Sequence, residues 1–133
     1  MTGTALDFRA PRAICERIGD AMLAARGGYD HCYFLDGARD ADGMTLAARV
    51  EEPDTGRAFE VSTTQPALQF YTGNGLDGSL LGRGGVRYAR NAGFCLETQH
   101  PPDAPNHPGF PSTRLDPAET YVQCTRFAFA APT

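Results

Sequence analysis

The apolar positions of the chain change their period once. In residues 12–25, "RAICERIGDAMLAA", Ile14, Ile18 and Met22 recur at steps of four with Ala21 and Leu23 alongside, and Pro11 stands just before them. That stripe predicts one short helix near the start, weakened in its middle by Gly19. After Gly27 and Gly28 the helical period gives way to short runs rich in branched and aromatic residues: "YFL", "MTLAARVEE", "RAFEVSTT", "ALQFYT", "GFCLETQ" and "TYVQCTRFAFA". Each is bounded by Gly, Pro, Asp or Asn, the pattern of strands closed by turns. The last run alternates, with Tyr121, Gln123, Thr125, Phe127 and Phe129 facing one way and Val122, Cys124, Arg126 and Ala128 the other. It predicts a strand with a large aromatic face. Between Val50 and Arg57, "EEPDTGR" combines the fixed φ of Pro53 with the permissive φ of Gly56, so the runs on either side are expected to pair as an antiparallel hairpin. Short strands joined by turns, with little helix, predict a mostly β chain, an antiparallel sandwich or part of one. Glycine and proline gather in two long loops, at 73–93 and 101–118, which are costly to order unless they line something.

Composition narrows the function more than the fold. A chain of 133 residues has room for one domain or a partial one, and at that size about two-thirds of the unfolded surface can be buried. No apolar run approaches the ~18 residues of a membrane span, and "MTGTALDFRAPR" carries no apolar signal core, so a cytoplasmic location and no membrane partner are expected. The net charge is −4 and the basic residues are scattered, which argues against nucleic acid. Cys15, Cys32, Cys95 and Cys124 lie far apart and form no C-x-x-C, so they read as buried small thiols of a reducing compartment.

Three stretches hold candidate chemistry. In "GFCLETQH" a strand puts Phe94 and Leu96 on one face and Cys95 and Glu97 on the other. A carboxylate among apolar neighbours loses hydration and becomes a better proton acceptor near neutral pH; a strand carboxylate simply facing solvent is the plainer alternative. Pro101 and Pro102 exclude a helix after His100, so Glu97 and His100 cannot sit one helical turn apart on a metal. His107, in "PNHPGFP", reads equally as ligand, substrate contact or plain loop residue; no metal or cofactor is expected. In "GGYDHCYFL" the two glycines allow close backbone approach and then present Asp30 and His31 together, either as a sugar-binding or acid–base pair or as a turn cap. In "STTQPALQFYTGNGLDG", Gln65 is held on stiff backbone before a proline, and Tyr71 and Asn74 flank Gly73. Amides and rings held in this way suit a carbohydrate.

"YDHCYFLDG", "VSTTQPALQFYTGNGLDG" and "GFCLETQHPPDAPNHPGFPSTRLDPAETYVQCTRFAF" together closely resemble the carboxy-terminal part of the aldose 1-epimerases, also called galactose mutarotases, and "GTALDFRAPRAI" is similar to that family's lead-in. Two positions depart from the family pattern: Cys32 replaces the usual Asn, and Gly75 replaces an aromatic residue. The resemblance implies a partial antiparallel β-sandwich of the mutarotase type and interconversion of the α- and β-anomers of an aldohexose such as galactose or glucose, without a cofactor. It implies Glu97 as catalytic base, Asp30 as a binder of sugar hydroxyls, and Gln65 as part of the sugar site. The family's general-acid histidine and its companions belong to an amino-terminal portion with no counterpart here, so the chain by itself is expected to lack the acid. The rival expectations are a noncatalytic carbohydrate-binding β-sandwich and a truncated gene product, the latter self-associating through an exposed sheet.

Overall fold

The chain reverses at Pro53–Gly56 because the Glu52 carboxylate accepts the backbone N–H groups of Asp54 and Thr55 at 3.0 and 2.8 Å, while Gly56, at φ +68°, donates its own N–H to the Glu52 carbonyl at 2.9 Å. This reversal lays β2 (Thr45–Glu52) against β3 (Arg57–Thr63) in antiparallel register, Val50 opposite Phe59 and Glu52 opposite Arg57, as the turn chemistry predicted. The computed structural model describes residues 1–130. The remaining strands are β1 (Asp30–Phe34), β4 (Ala67–Tyr71), β5 (Cys95–Gln99) and β6 (Thr125–Ala130). They form two three-stranded antiparallel sheets, ordered β1-β4-β5 and β2-β3-β6. Position in the sheet sets burial. Central β4 holds buried Ala67, Leu68 and Phe70, and central β3 holds Ala58, Val61 and Thr63, whereas the outer strand β6 is exposed along nearly its whole length.

Two expectations change. The helix predicted over residues 12–25 is instead two 3-10 turns, Ile14–Glu16 and Ala21–Leu23, separated by extended backbone at Asp20. The Asp20 carboxylate accepts the N–H of Met22 at 2.9 Å, so it starts a new turn where a helix would have to continue. Of the apolar stripe, Met22 is exposed and the fully buried residue is Leu23. The strand predicted for "TYVQCTRFAFA" begins only at Thr125, because Thr64 captures Cys124 from both sides: its N–H donates to the Cys124 carbonyl and its hydroxyl accepts the Cys124 N–H, each at 3.0 Å. Within the strand the alternation holds. Phe127 and Phe129 lie on one face, with ring centroids 6.3 and 5.7 Å from that of Phe59 on β3.

The chain divides into two compact units, Met1–His31 with Phe70–Cys95 and Cys32–Gln69 with Leu96–Thr133. The first is built on Tyr29, whose fully buried ring stacks on Phe70 at 5.2 Å and meets the edge of Phe8 at 5.1 Å, beside buried Leu23 and Ala5. The second has Val61, Ala67, Leu68 and Met44 as its core. There the two sheets are tied by hydroxyls: Thr98 of β5 bonds Thr125 of β6 at 2.6 Å, and Thr125 bonds Thr63 of β3 at 3.1 Å. Among the described residues no helix is long and apolar enough to cross a membrane.

Candidate functional site

Glu97 sits mid-way along β5, an outer strand, and is exposed. Since Thr98 points to β6, strand alternation turns Glu97 to the opposite face. The desolvated setting expected from its apolar neighbours is therefore absent in this chain, and among the described residues no cation pairs with it. His100 follows the strand's end and is half-buried, its ring centroid 6.5 Å from that of Tyr121. His107 is exposed, pairs through Nε2 with Asp103 at 2.8 Å and stacks on Phe110 at 4.7 Å, while Phe110 meets the edge of Phe34 at 5.0 Å. The Asn106 amide and, after it, His107 hold the Asp103 carboxyl below its usual range. These contacts make His107 the brace of the proline loop. Among the described residues no three His, Cys, Asp or Glu side chains gather to hold a metal ion.

Gln65 is 5% exposed, and its N–H donates to Thr63 Oγ1 at 3.1 Å before the chain enters Pro66. Its side-chain Nε2 donates to the hydroxyl of Tyr121, whereas its Oε1 is buried without a hydrogen-bond partner among the described residues. The second unit thus holds Gln65, Tyr121, His100 and Glu97. Tyr121 was read as one more residue of an aromatic strand face; its tie to Gln65 spans 56 positions and leaves no signal in local pattern.

Asp30 opens β1 in the first unit, part-buried, with Oδ2 accepting from Arg26 at 3.1 Å and its N–H donating to Nδ1 of its neighbour His31 at 3.0 Å. Burial, and then the Arg26 guanidinium, push the His31 imidazole below its ordinary value, opposed by the Asp30 carboxylate. The close approach expected at the two glycines is real, and its object is the protein itself. A Cβ on Gly28 would stand 2.3 Å from Asn74 Oδ1 and 2.8 Å from Thr72 Oγ1, at φ +148°. Asn74 is consequently engaged: Nδ2 donates to the Tyr29 carbonyl at 2.8 Å, and Oδ1 accepts from Thr72 at 2.7 Å and from Asn91 at 3.1 Å. The Tyr71 hydroxyl accepts the N–H of Gly75 at 2.9 Å. Both residues singled out around Gly73 as sugar contacts have internal partners in the chain.

The thiols also differ from expectation. Cys15, Cys95 and Cys124 are exposed, being carried by a 3-10 turn, an outer strand and an irregular segment, and only Cys32 is part-buried. Burial pushes the Cys32 thiol up.

The aldose 1-epimerase family model matches residues 1–128. The chain belongs to the aldose 1-epimerase family. It is 45% identical over 128 residues to the galactose mutarotase of Homo sapiens, an alignment that covers 96% of this chain and 36% of the relative. To the aldose 1-epimerase of Escherichia coli (strain K12) it is 40% identical over 134 residues, covering 98% of this chain and 38% of the relative. The chain thus spans little more than a third of the length of these curated relatives. The matched residues include β4 with Gln65 before it and β5 with Glu97, one from the central and one from an outer position of the same sheet.

Proposed function

We propose that these residues supply the base and part of the sugar contacts of an aldose 1-epimerase acting on an aldohexose such as galactose or glucose. Family membership supports the reaction class, and the exposed carboxylate of Glu97 on β5, which no cation pairs with among the described residues, is the observation that carries the assignment of the base. Glu97 takes the proton of the anomeric hydroxyl while a general acid protonates the ring oxygen. The C1–O5 bond breaks, the open-chain aldehyde turns about C1–C2, and closure on the other face returns both protons. The steps move protons only and draw on no cofactor. Acid–base assistance of this type contributes roughly 10²–10⁴-fold. The acid histidine that the resemblance implies has no counterpart among these residues in this reading, and His107, tied to Asp103, does not replace it. Asp30 and Gln65 bind sugar hydroxyls in this reading. Four free thiols fit work in a reducing compartment such as the cytoplasm.

Polarimetry on freshly dissolved α-D-galactose tests the reading. Because the acid is missing, these residues by themselves are expected to speed the approach to anomeric equilibrium only slightly, and Glu97→Gln to return it to the spontaneous rate, with unfolding stability within about 0.5 kcal/mol of wild type as for other surface substitutions. Equal rates for the two proteins would remove the catalytic role and leave noncatalytic sugar binding. The exposed rings of Phe127 and Phe129, 49% and 79% accessible, favour an additional reading, self-association through the outer strand β6. Size-exclusion chromatography over a concentration series checks it, a concentration-independent monomer counting against it.

A further inference from the structure

Gln65 and Tyr121 form an unequal pair. The Gln65 side chain is enclosed, its backbone held by the Thr63 hydroxyl, which accepts the Gln65 N–H, and by Pro66 after it, and its Oε1 has no partner among the described residues. The phenol is 57% exposed. It belongs to residues 111–124, all exposed and free of regular strand or helix, a strap fastened at Cys124, three positions downstream, to Thr63 of β3 and to Thr64 after it. A hydroxyl must come within about 2.8 Å of an amide to bond it, so an amide closed to solvent is closed to a sugar. Tyr121 presents to Gln65 what a sugar would present: a hydroxyl on a ring carbon, able both to give and to accept a hydrogen bond. The buried Oε1 makes this closed arrangement imperfect, because an acceptor without a donor destabilises the state that encloses it. The covering group therefore sits on an irregular exposed strap and is replaceable by the ligand's own chemistry, whereas the covered group is held in place.

We propose that Tyr121 is an intramolecular competitor for Gln65, its hydroxyl holding the amide in place of a sugar hydroxyl, and that a sugar reaches Gln65 only after Tyr121 swings aside. The inference rests on the reading of Gln65 as a sugar-binding residue. It adds that sugar affinity is set below its intrinsic value by the fraction of molecules with Tyr121 displaced. The test is NMR on the ¹⁵N-labelled chain, with the Gln65 side-chain amide assigned by its loss in Gln65→Met and followed during titration with D-galactose. Tyr121→Phe, which removes one neutral hydrogen bond, is expected to shift that amide resonance without sugar and to tighten galactose binding about 3- to 10-fold. Tyr121→Ala, which also removes the ring, should tighten it at least as much. Unchanged or weaker binding by both variants, with wild type still binding, overturns the gate and leaves the sugar reading standing. No movement of the Gln65 amide by galactose in any of the proteins overturns the sugar reading and the gate with it. An amide resonance indifferent to Tyr121→Phe shows that the pair does not form in solution and overturns the gate alone.

Discussion

Tyr29 and Gln65 are both buried polar residues, and their surroundings are opposites. The Tyr29 backbone is completed on both sides, its N–H donating to Thr72 Oγ1 at 3.0 Å and its carbonyl accepting from Thr72 N at 3.1 Å and Asn74 Nδ2 at 2.8 Å. Asn91, in the left-handed region at φ +58°, closes the network by donating to the Thr72 carbonyl at 2.8 Å. The phenol itself donates to the Ala5 carbonyl at 3.3 Å. Around Gln65 the amide nitrogen has one exposed partner and the amide oxygen none among the described residues. A completed polar network holds a fold rigid, whereas a half-satisfied one marks a place where stability has been given up for something else.

Substitutions can break that contrast. Tyr29→Ala is expected to have the largest effect, a loss of about 3–5 kcal/mol by the cavity left beside Phe8 and Phe70, read as a fall in the urea midpoint. Tyr121→Ala at its exposed site should leave that midpoint nearly where it was. Thr72→Val keeps the shape and removes the hydroxyl, stranding the Tyr29 N–H, and should cost about 1–3 kcal/mol. Gln65→Met is the counterpart in the other region. It deletes the unpartnered oxygen, and its stability should fall within about 1 kcal/mol of wild type, on either side, because the freed Tyr121 hydroxyl turns to water. In galactose titrations the same variant should lose binding. A loss of stability as large as that of Thr72→Val would make Gln65 a structural residue like Thr72.

The smallest effect is a pH dependence at His31. Its folded value lies below the ordinary 6.5, through burial first and Arg26 second. The unfolded chain then takes up the proton first, so the stability present above pH 6.5 is lost as pH falls through the lowered folded value. His31→Gln is expected to flatten the urea midpoint over that window, and a slope that persists in the variant assigns it to another group.

Much of the fold was legible because strand pairing follows local chemistry. Runs of branched and aromatic residues bounded by turn residues located the strands, and Pro53 with Gly56 located the hairpin, since strand preference and turn geometry are decided within a few residues. The helical stripe misled for a local reason too: Asp20 offers the Met22 N–H a side-chain acceptor and restarts the turn. At the candidate site the residues were named by their motifs and their surroundings were not. Local apolarity around Glu97 suggested a dry carboxylate, but exposure depends on which strand lies beside β5, and β5 is an outer strand. Asn74 and Gln65 have the same kind of side chain in similar Gly- and Pro-rich settings, and only the fold shows one amide spoken for and the other half-satisfied.

The sequence by itself determined the strands, the hairpin, the aromatic face of β6 and the family motifs, because each depends on residues next to one another in the chain. Tertiary structure decided the order of strands in the sheets, the exposure of the thiols and of Glu97, and the meeting of Gln65 with Tyr121. These depend on contacts between distant segments, set by the packing of the whole chain and not by the period of any one stretch.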